Sequence, residues 1–244
     1  MRFVKMEGLG NDFVVVDESV EVGPDLVRRL CHRHFGVGAD GVLQVSLRGG
    51  RIKMDYWNAD GSVAEMCGNG LRCVARYAFD RGMSTDRSFS VLTRVGERGV
   101  EAGEEPRVEL GRVTITAPLR YEEMSFHTVD VGNPHAVTFL ADLESAPVAT
   151  VGPALEREVP GGTNVEFVTV KSHDKIAMRV WERGVGETLA CGSGMVAAAA
   201  AAQHLGHVGS RVVVEVPGGQ GTVDLVRGAA WLTGPAHYVF SGEI

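Results

Sequence analysis

Phe13–Asp17 is an apolar, β-branched run, the pattern of a strand buried on both faces. Pro24–His34 changes period. Leu26, Val27, Leu30, Cys31 and His34 fall on one helical face, and Pro24 suits a first turn. Gly36-Val37-Gly38-Ala39-Asp40-Gly41 reads as a loop with several positions free to take positive φ. Val42–Leu47 and Arg51–Asn58 return to strand; in the second, Ile52, Met54 and Tyr56 alternate with Lys53, Asp55 and Trp57. Leu71–Arg81 predicts a helix closed by Gly82, and Phe89–Arg94, Gly99–Gly103 and Arg107–Ala117 predict strands and turns. The theme then recurs. Phe126–Val131 and Ala136–Leu140 predict strands flanking Gly132-Asn133-Pro134-His135, Pro153–Glu158 a short helix, and Asn164–Val170 and Lys175–Trp181 strands. Gly194–Leu205 is a helix dense in Ala, the strongest helix former. Arg211–Val216, Gly221–Val226, Ala229–Thr233 and the tail Ala236–Phe240 complete the strands.

The recurrence extends to residue identity. Sliding Arg51–Ala78 onto Lys175–Ala202, a shift of 124 positions, pairs Ile52 with Ile176, Met54 with Met178 and Trp57 with Trp181. It also pairs Cys67 with Cys191, Gly68 with Gly192, Gly70 with Gly194, Ala75 with Ala199 and Ala78 with Ala202. Only three Trp and four Cys exist in the chain, and two of each fall into register. Such a repeat predicts two similar folded units. Their expected extents are 1–118, joined by the final strand 234–244, and 119–233. The fold class is α/β (α+β). Two facing units would present two thiols to one cleft, an arrangement that suits an acid and a base on opposite sides of a carbon.

Composition narrows the function classes. The 244 residues are 44% hydrophobic, enough for two cores. A net charge of −7 with no basic run longer than Arg28-Arg29 argues against nucleic-acid binding. Met1–Asp12 shows no apolar signal region, and the Ala-rich stretch after Cys191 is too short to span a bilayer, so no membrane association is expected. Four cysteines in a chain of this length do not make a disulfide scaffold, and free thiols in a reducing cytoplasm follow.

Cys67-Gly68-Asn69-Gly70 and Cys191-Gly192-Ser193-Gly194 place each thiol where a loop gives way to a helix. There the dipole and free N–H groups are expected to lower the thiol pKa and bring thiolate within reach of neutral pH. The same N–H groups can hold a carboxylate, and a carboxylate between two such termini would have its charge stabilised as its α-carbon loses a proton. Cys31 and Cys73 read instead as small buried hydrophobes. No C-x-x-C or paired-His spacing supports a metal site. A redox dithiol would normally use adjacent cysteines. Asn58 and Glu182 each stand nine residues before their cysteine, and Asn11 and Asn133 can offer a donor and an acceptor to a zwitterion. A structural turn role for these Asn residues is equally open. His135 is the candidate for tuning a thiol or anchoring a carboxylate.

Together, Gly8-Leu9-Gly10-Asn11-Asp12-Phe13, Asn58-Ala59-Asp60-Gly61-Ser62, Cys67-Gly68-Asn69-Gly70, Gly132-Asn133-Pro134-His135, Glu182-Arg183-Gly184 and Glu187–Gly194 resemble the diaminopimelate epimerases over essentially the whole chain. That fold is shared with proline racemases and phenazine-biosynthesis isomerases. The resemblance implies two units, each a mixed sheet wrapped around a central helix, with the active site between them. It implies a PLP-independent epimerase without cofactor or metal, interconverting LL- and meso-diaminopimelate in lysine and peptidoglycan precursor supply. By motif, Cys67 and Cys191 would be the acid/base pair, with His135 beside the thiols and Glu182 receiving the α-ammonium. Gly68, Asn69, Gly192 and Ser193 would hold the α-carboxylate. Asn11, Asn58, Asn133, Asn164 and Arg183 would grip the distal amino-acid group, Arg183 by a bidentate contact. Gly41 departs from members that carry Gln there, and loops that cover the cleft elsewhere are expected to be shorter. A cytoplasmic homodimer acting on a small amino acid is the expected setting. Two rivals stay open: an epimerase of another amino acid, and a thiol redox or amino-acid-binding protein.

Overall fold

The computed structural model describes residues 1–64, 66–226 and 228–244. Two compact units emerge, Met1–Val108 with Gly234–Ile244, and Glu109–Thr233. The first contains β1 (Arg2–Gly8), β2 (Asn11–Asp17), α1 (Pro24–Cys31), β3 (Gly41–Arg48), β4 (Arg51–Asn58), β5 (Val63–Ala64), α2 (Gly68–Asp80), β6 (Ser88–Thr93) and β7 (Gly96–Glu101), with β8 (Arg107–Gly111) straddling the division. The second contains β9 (Thr114–Ile115), β10 (Leu119–Tyr121), β11 (Met124–Asp130), β12 (Pro134–Phe139), α3 (Val148–Glu158), β13 (Asn164–Ser172), β14 (Lys175–Glu182), β15 (Gly186–Thr188), α4 (Gly192–His204), β16 (Arg211–Val216), β17 (Gly219–Val226) and β18 (Ala229–Thr233). The last strand, β19 (His237–Glu243), pairs antiparallel with β1 and so belongs to the first unit.

The two units have the same strand connections. In the first, β1 runs antiparallel to β2, β2 parallel to β3, β3 antiparallel to β4, and β4 lies antiparallel to β5 and parallel to β6, with β7 antiparallel to β6. In the second, β11, β12, β13, β14, β15, β16 and β17 repeat those relations one for one. The repeat therefore spans each whole unit, although residue identity reveals only its middle. Registers align the positions: Phe13 faces Gly41, which faces Asn58, as His135 faces Asn164 one residue before the Val165–Trp181 pair.

Each sheet wraps a central helix. α2 packs against β1, β2, β3, β4 and β7; α4 packs against β11, β12, β13, β14, β16, β17 and β18. A helix enclosed this way must be apolar on all sides. In α4, Met195, Val196 and Ala197 through Ala202 are all buried. α1 and α3 lie outside, closing cores built on Val27, Leu30, Phe3 and Val42 in one unit and on Leu155, Val151, Phe126 and Phe167 in the other.

Helix limits differ from the sequence expectation in physically readable ways. α1 stops at Cys31 rather than His34 because the following loop takes its carbonyls: Gly38 N–H donates to Leu30 O and Ala39 N–H to Cys31 O. A Cβ at Gly36 would sit 2.0 Å from Arg29 O, so only glycine lets the chain pass. α3 starts at Val148, five residues before the expected Pro153, which lies inside it. Thr150 and Val151 N–H both donate to Pro147 O, nucleating the turn upstream of the proline. α2 and α4 begin at Gly68 and Gly192, earlier than expected, because the cysteines themselves cap them.

A partly buried ion network ties β1 and β2 to the loop before β3. Lys5, 5% exposed, holds Asp12 at 2.7 Å and also donates to Gly38 O. Arg33 bridges Asp12 at 3.0 Å and Asp40 at 2.7 Å. Burial alone would raise the Asp12 carboxyl, but hydrogen bonds from Arg33 and Lys5 outweigh it and lower it from 3.8 to about 2. The depressed pKa means that this contribution is present above pH 3.8 and lost as pH falls toward 2. Lys5→Met is expected to destabilise the protein by about 1.5 kcal/mol at neutral pH, since it removes one of the two cations that pair with Asp12 while Arg33 remains. Denaturant unfolding of both proteins across the acid range should show the gap closing as Asp12 protonates.

Candidate active site: two thiols capping two helices

Cys67 and Cys191 occupy the N-cap positions of α2 and α4 in extended conformation, with φ −136° and −118°. Each sulfur accepts from the backbone N–H three residues on, Gly70 at 3.5 Å and Gly194 at 3.4 Å. The thiol thus does the work of a Ser or Asp cap, satisfying one of the helix's orphan donors. Both third-position glycines are closely packed. A Cβ at Gly70 would meet Leu43 Cδ2 at 3.1 Å, and one at Gly194 would meet Glu166 Oε1 at 2.7 Å.

In the first unit the β1–β2 hairpin turns through Leu9 and Gly10, both at positive φ (57° and 81°), and delivers Asn11 to the thiol. Asn11 Oδ1 accepts from Cys67 Sγ at 3.5 Å and from Asn69 Nδ2 at 3.2 Å. Asn11 Nδ2 donates to Asp40 Oδ2 at 2.8 Å, which fixes the amide's orientation. Asn58, at the end of β4, donates to Ser62 Oγ at 3.0 Å within its own turn rather than to this cluster. Gly41 is tightly enclosed: a Cβ there would lie 2.5 Å from Trp57 O and 2.6 Å from the Tyr56 ring. A larger side chain has no room at this backbone position.

In the second unit a continuous polar chain leads from the thiol inward. Cys191 Sγ and Ser193 Oγ are 3.5 Å apart, and Asn133 Nδ2 donates to Ser193 Oγ at 3.4 Å. Asn133 Oδ1 lies 3.1 Å from His135 Nε2, and His135 Nδ1 lies 2.6 Å from Glu166 Oε1. His135 and Glu166 are both buried, at 1% and 0% exposure. Glu182 takes a hydrogen bond from Thr188 Oγ1 at 2.5 Å. Asn164 Nδ2 donates to Pro134 O at 3.0 Å while its Oδ1 accepts from Arg183 N–H at 3.0 Å. The Arg183 side chain is exposed and donates to Gly161 O at 3.1 Å.

One expectation is corrected. Helix termini were expected to lower both thiols, but the Cys191 thiol is pushed well above its ordinary value. Burial is the main cause, followed by the charges of Glu182 and Glu166, and the bonds from Ser193 and Gly194 do not offset them. Burial also raises Glu182. Cys31 and Cys73 behave as buried hydrophobes, raised by burial to about 11 and about 12. Among the described residues no group of three or more His, Cys, Asp or Glu could hold a metal.

Sequence reasoning missed Asp40, which orients Asn11, and Glu166, which backs His135. Each left a trace. Asp40 sits in a glycine-flanked loop, and Glu166 is a lone charge inside the apolar run Val165-Glu166-Phe167-Val168.

The family description of diaminopimelate epimerase matches residues 3–116 and 127–239. This chain belongs to the diaminopimelate epimerase family. The diaminopimelate epimerase of Moorella thermoacetica is 40% identical, with 100% of this chain and 99% of that protein aligned. That of Pelotomaculum thermopropionicum is 42% identical over 100% and 98%. Among solved structures, a predicted epimerase from Pseudomonas aeruginosa superposes with TM-score 0.80 at 14% identity, covering 100% of this chain and 98% of that one. A hydroxyproline epimerase from Agrobacterium vitis, solved with trans-4-hydroxy-L-proline, gives TM-score 0.78 at 14% identity over 100% and 90%. At such identities the likeness shows the fold, a mixed α/β architecture shared across several epimerase and phenazine-biosynthesis proteins.

Thiol accessibility follows from these positions. Alkylation of the folded protein at mildly alkaline pH should spare Cys31 and Cys73 and modify them only after unfolding. Peptide mapping of the alkylated protein checks this; rapid modification of Cys73 in the folded state would contradict its burial in α2.

Proposed function

We propose that the chain interconverts LL- and meso-diaminopimelate without a cofactor, using Cys67 and Cys191 as the two acid/base groups at one α-carbon. The observation that carries the reading is the pair of helix-capping thiols at equivalent positions of a repeated unit, in a chain of this family. On this reading one cysteine, as thiolate, removes the α-proton, and the other, as thiol, delivers a proton to the opposite face. The pair holds one proton between them, so their titrations are coupled.

The N–H groups of Gly68, Asn69, Gly192 and Ser193 open both helices and are proposed to hold the substrate's α-carboxylate. There they would stabilise the charge that spreads onto it as the α-carbon is deprotonated. Glu182 is proposed to receive the α-ammonium, supported by its place beside Cys191, and His135 to shape the site through Asn133. Asn11, Asn58, Asn164 and Arg183 would hold the distal amino-acid end. Asn11 and Asn164 are already oriented by Asp40 and by Pro134 O, respectively. Exclusion of water around the reacting carbon would strengthen these contacts. A cytoplasmic homodimer supplying lysine and peptidoglycan precursors completes the proposal. Its support is the chain's membership of the diaminopimelate epimerase family.

Turnover of diaminopimelate isomers with no added cofactor tests the reading. Cys67→Ala and Cys191→Ala should each lose roughly 10²–10⁴-fold or more in kcat, while Cys31→Ala and Cys73→Ala retain activity. Near-normal turnover in either of the first pair would sink the two-thiol assignment. Turnover of other amino acids in preference to diaminopimelate would redirect the substrate assignment.

A further inference from the structure

Two asparagines hold matching places in the repeat. Asn11 follows Gly10 and Asn133 follows Gly132, both glycines at positive φ (81° and 91°). Each stands two residues before a strand residue that pairs with the start of the next strand, Phe13 with Gly41 and His135 with Asn164. The two amides nevertheless point in opposite senses. Asn11 Nδ2 donates to Asp40 Oδ2 at 2.8 Å, and its Oδ1 accepts from Asn69 Nδ2 on α2 at 3.2 Å. Asn133 Nδ2 donates to Ser193 Oγ on α4 at 3.4 Å, and its Oδ1 turns inward to His135 Nε2 at 3.1 Å. The start of α2 is therefore met by a carbonyl oxygen and the start of α4 by an amide N–H.

The cause lies in the groups behind the amides. Asp40, paired with Arg33 at 2.7 Å, is a carboxylate and can only accept, so it takes the Asn11 NH2 and turns the oxygen toward α2. Behind Asn133 stands His135, whose Nε2 can give or take a hydrogen. The deciding group is on the far side of the ring, where Glu166 Oε1 lies 2.6 Å from Nδ1. Both side chains are fully buried. Among the described residues Glu166 Oε2 has no hydrogen-bond partner, so the carboxylate is committed to His135 through Oε1. A buried carboxylate must be paired, and a ring that pairs it while facing an amide oxygen carries hydrogen on both nitrogens. Such a ring donates from Nε2 to Asn133 Oδ1, which leaves only the NH2 for Ser193. Ser193 Oγ then accepts from Asn133 and keeps its own hydrogen for Cys191 Sγ at 3.5 Å. The fold itself does not call for this carboxylate. In the first unit Leu43 occupies the place under Gly70 that Glu166 occupies under Gly194, and Phe13 stands where His135 does.

We propose that Glu166 is a positioning residue for the reaction. Through a hydrogen that it keeps on His135 Nε2, it fixes Asn133 with the amide N–H toward Ser193, the reverse of the orientation that Asp40 imposes on Asn11. Its meaning for catalysis rests on the two-thiol reading above, whereas the hydrogen on Nε2 is observable without turnover.

The test begins with nitrogen-15 NMR of the substrate-free, full-length protein labelled at histidine, the His135 signals being assigned by their loss in His135→Gln. Wild-type Nε2 should bear a hydrogen that exchanges slowly with water. A bare Nε2 would reverse the Asn133 amide and overturn the proposal, even if no variant folds. Glu166→Leu installs the residue of the first unit, and exchange at Nε2 should become at least about tenfold faster. The same variant should lose roughly tenfold in kcat on diaminopimelate with KM little changed. Asn133→Asp keeps an acceptor for Nε2 but has no N–H for Ser193, so the Nε2 hydrogen should persist while kcat falls by a similar factor. A folded Glu166→Leu protein with an unaltered Nε2 hydrogen, or full turnover in Asn133→Asp, would overturn the proposal. A slowly exchanging Nε2 hydrogen that Glu166→Leu releases, in a protein that turns over no diaminopimelate, would support the positioning by Glu166 and remove the epimerase reading instead.

Discussion

The structure depends on a sulfur capping a helix that has no exposed face. A helix N-terminus carries unsatisfied N–H groups and the positive end of a dipole, and a chain that buries one must supply acceptors. Here Cys67 and Cys191 take up the third-residue donors, at Gly70 and Gly194. The donors before them are carried by Gly68, Asn69, Gly192 and Ser193, the residues proposed to hold a carboxylate. The glycines suit this packing, because a Cβ at Gly70 or Gly194 would press on the Leu43 or Glu166 side chain beneath. The wrapped sheet follows too. In α4 the small, apolar residues provide almost no polar anchor, so the sheet on several sides fixes the helix axis.

Repetition supplies two such helices and asymmetry differentiates them. The strand connections are the same in both units, yet the polar residues around each cap differ in kind. The first unit orients Asn11 through Asp40, Arg33, Asp12 and Lys5, a network lying outside the sheet's apolar core. The second drives its network inward through Ser193, Asn133 and His135 to the wholly buried Glu166. Buried charge in a low-dielectric interior acts strongly on a neighbouring titratable group, so the two caps sit in different electrostatic settings despite their common backbone plan.

Much of this was legible in the sequence. The repeat gave two units and singled out two of four cysteines, since register is a strong constraint when Trp and Cys are rare. The strands were readable because alternation and β-branched runs have short periods. Helix edges were harder. Pro153 looked like a start but sits inside α3, because Pro147 nucleates the helix upstream, and α1 ended early because a glycine loop recaptured its carbonyls. The thiol environments were least legible. Local sequence shows a helix dipole, whereas desolvation and the partners Glu166 and Glu182 arrive through folding. That is why the expectation of a lowered Cys191 thiol failed. Arg72 was similarly hidden, since in sequence it is one of several charged residues along the helix and nothing there marks it as the buried one.

The central claim, that two thiols serve opposite faces of one α-carbon, is tested most directly by isotope content at early conversion. LL-diaminopimelate is incubated with the enzyme in heavy water, and product and residual substrate are analysed separately. If each cysteine serves one face, the hydrogen removed stays with one sulfur and a deuteron arrives from the other. Inverted product should then carry deuterium at the α-carbon while residual substrate remains protiated. Early product that retains much of the original hydrogen would mean that a single base reaches both faces, and would contradict the account.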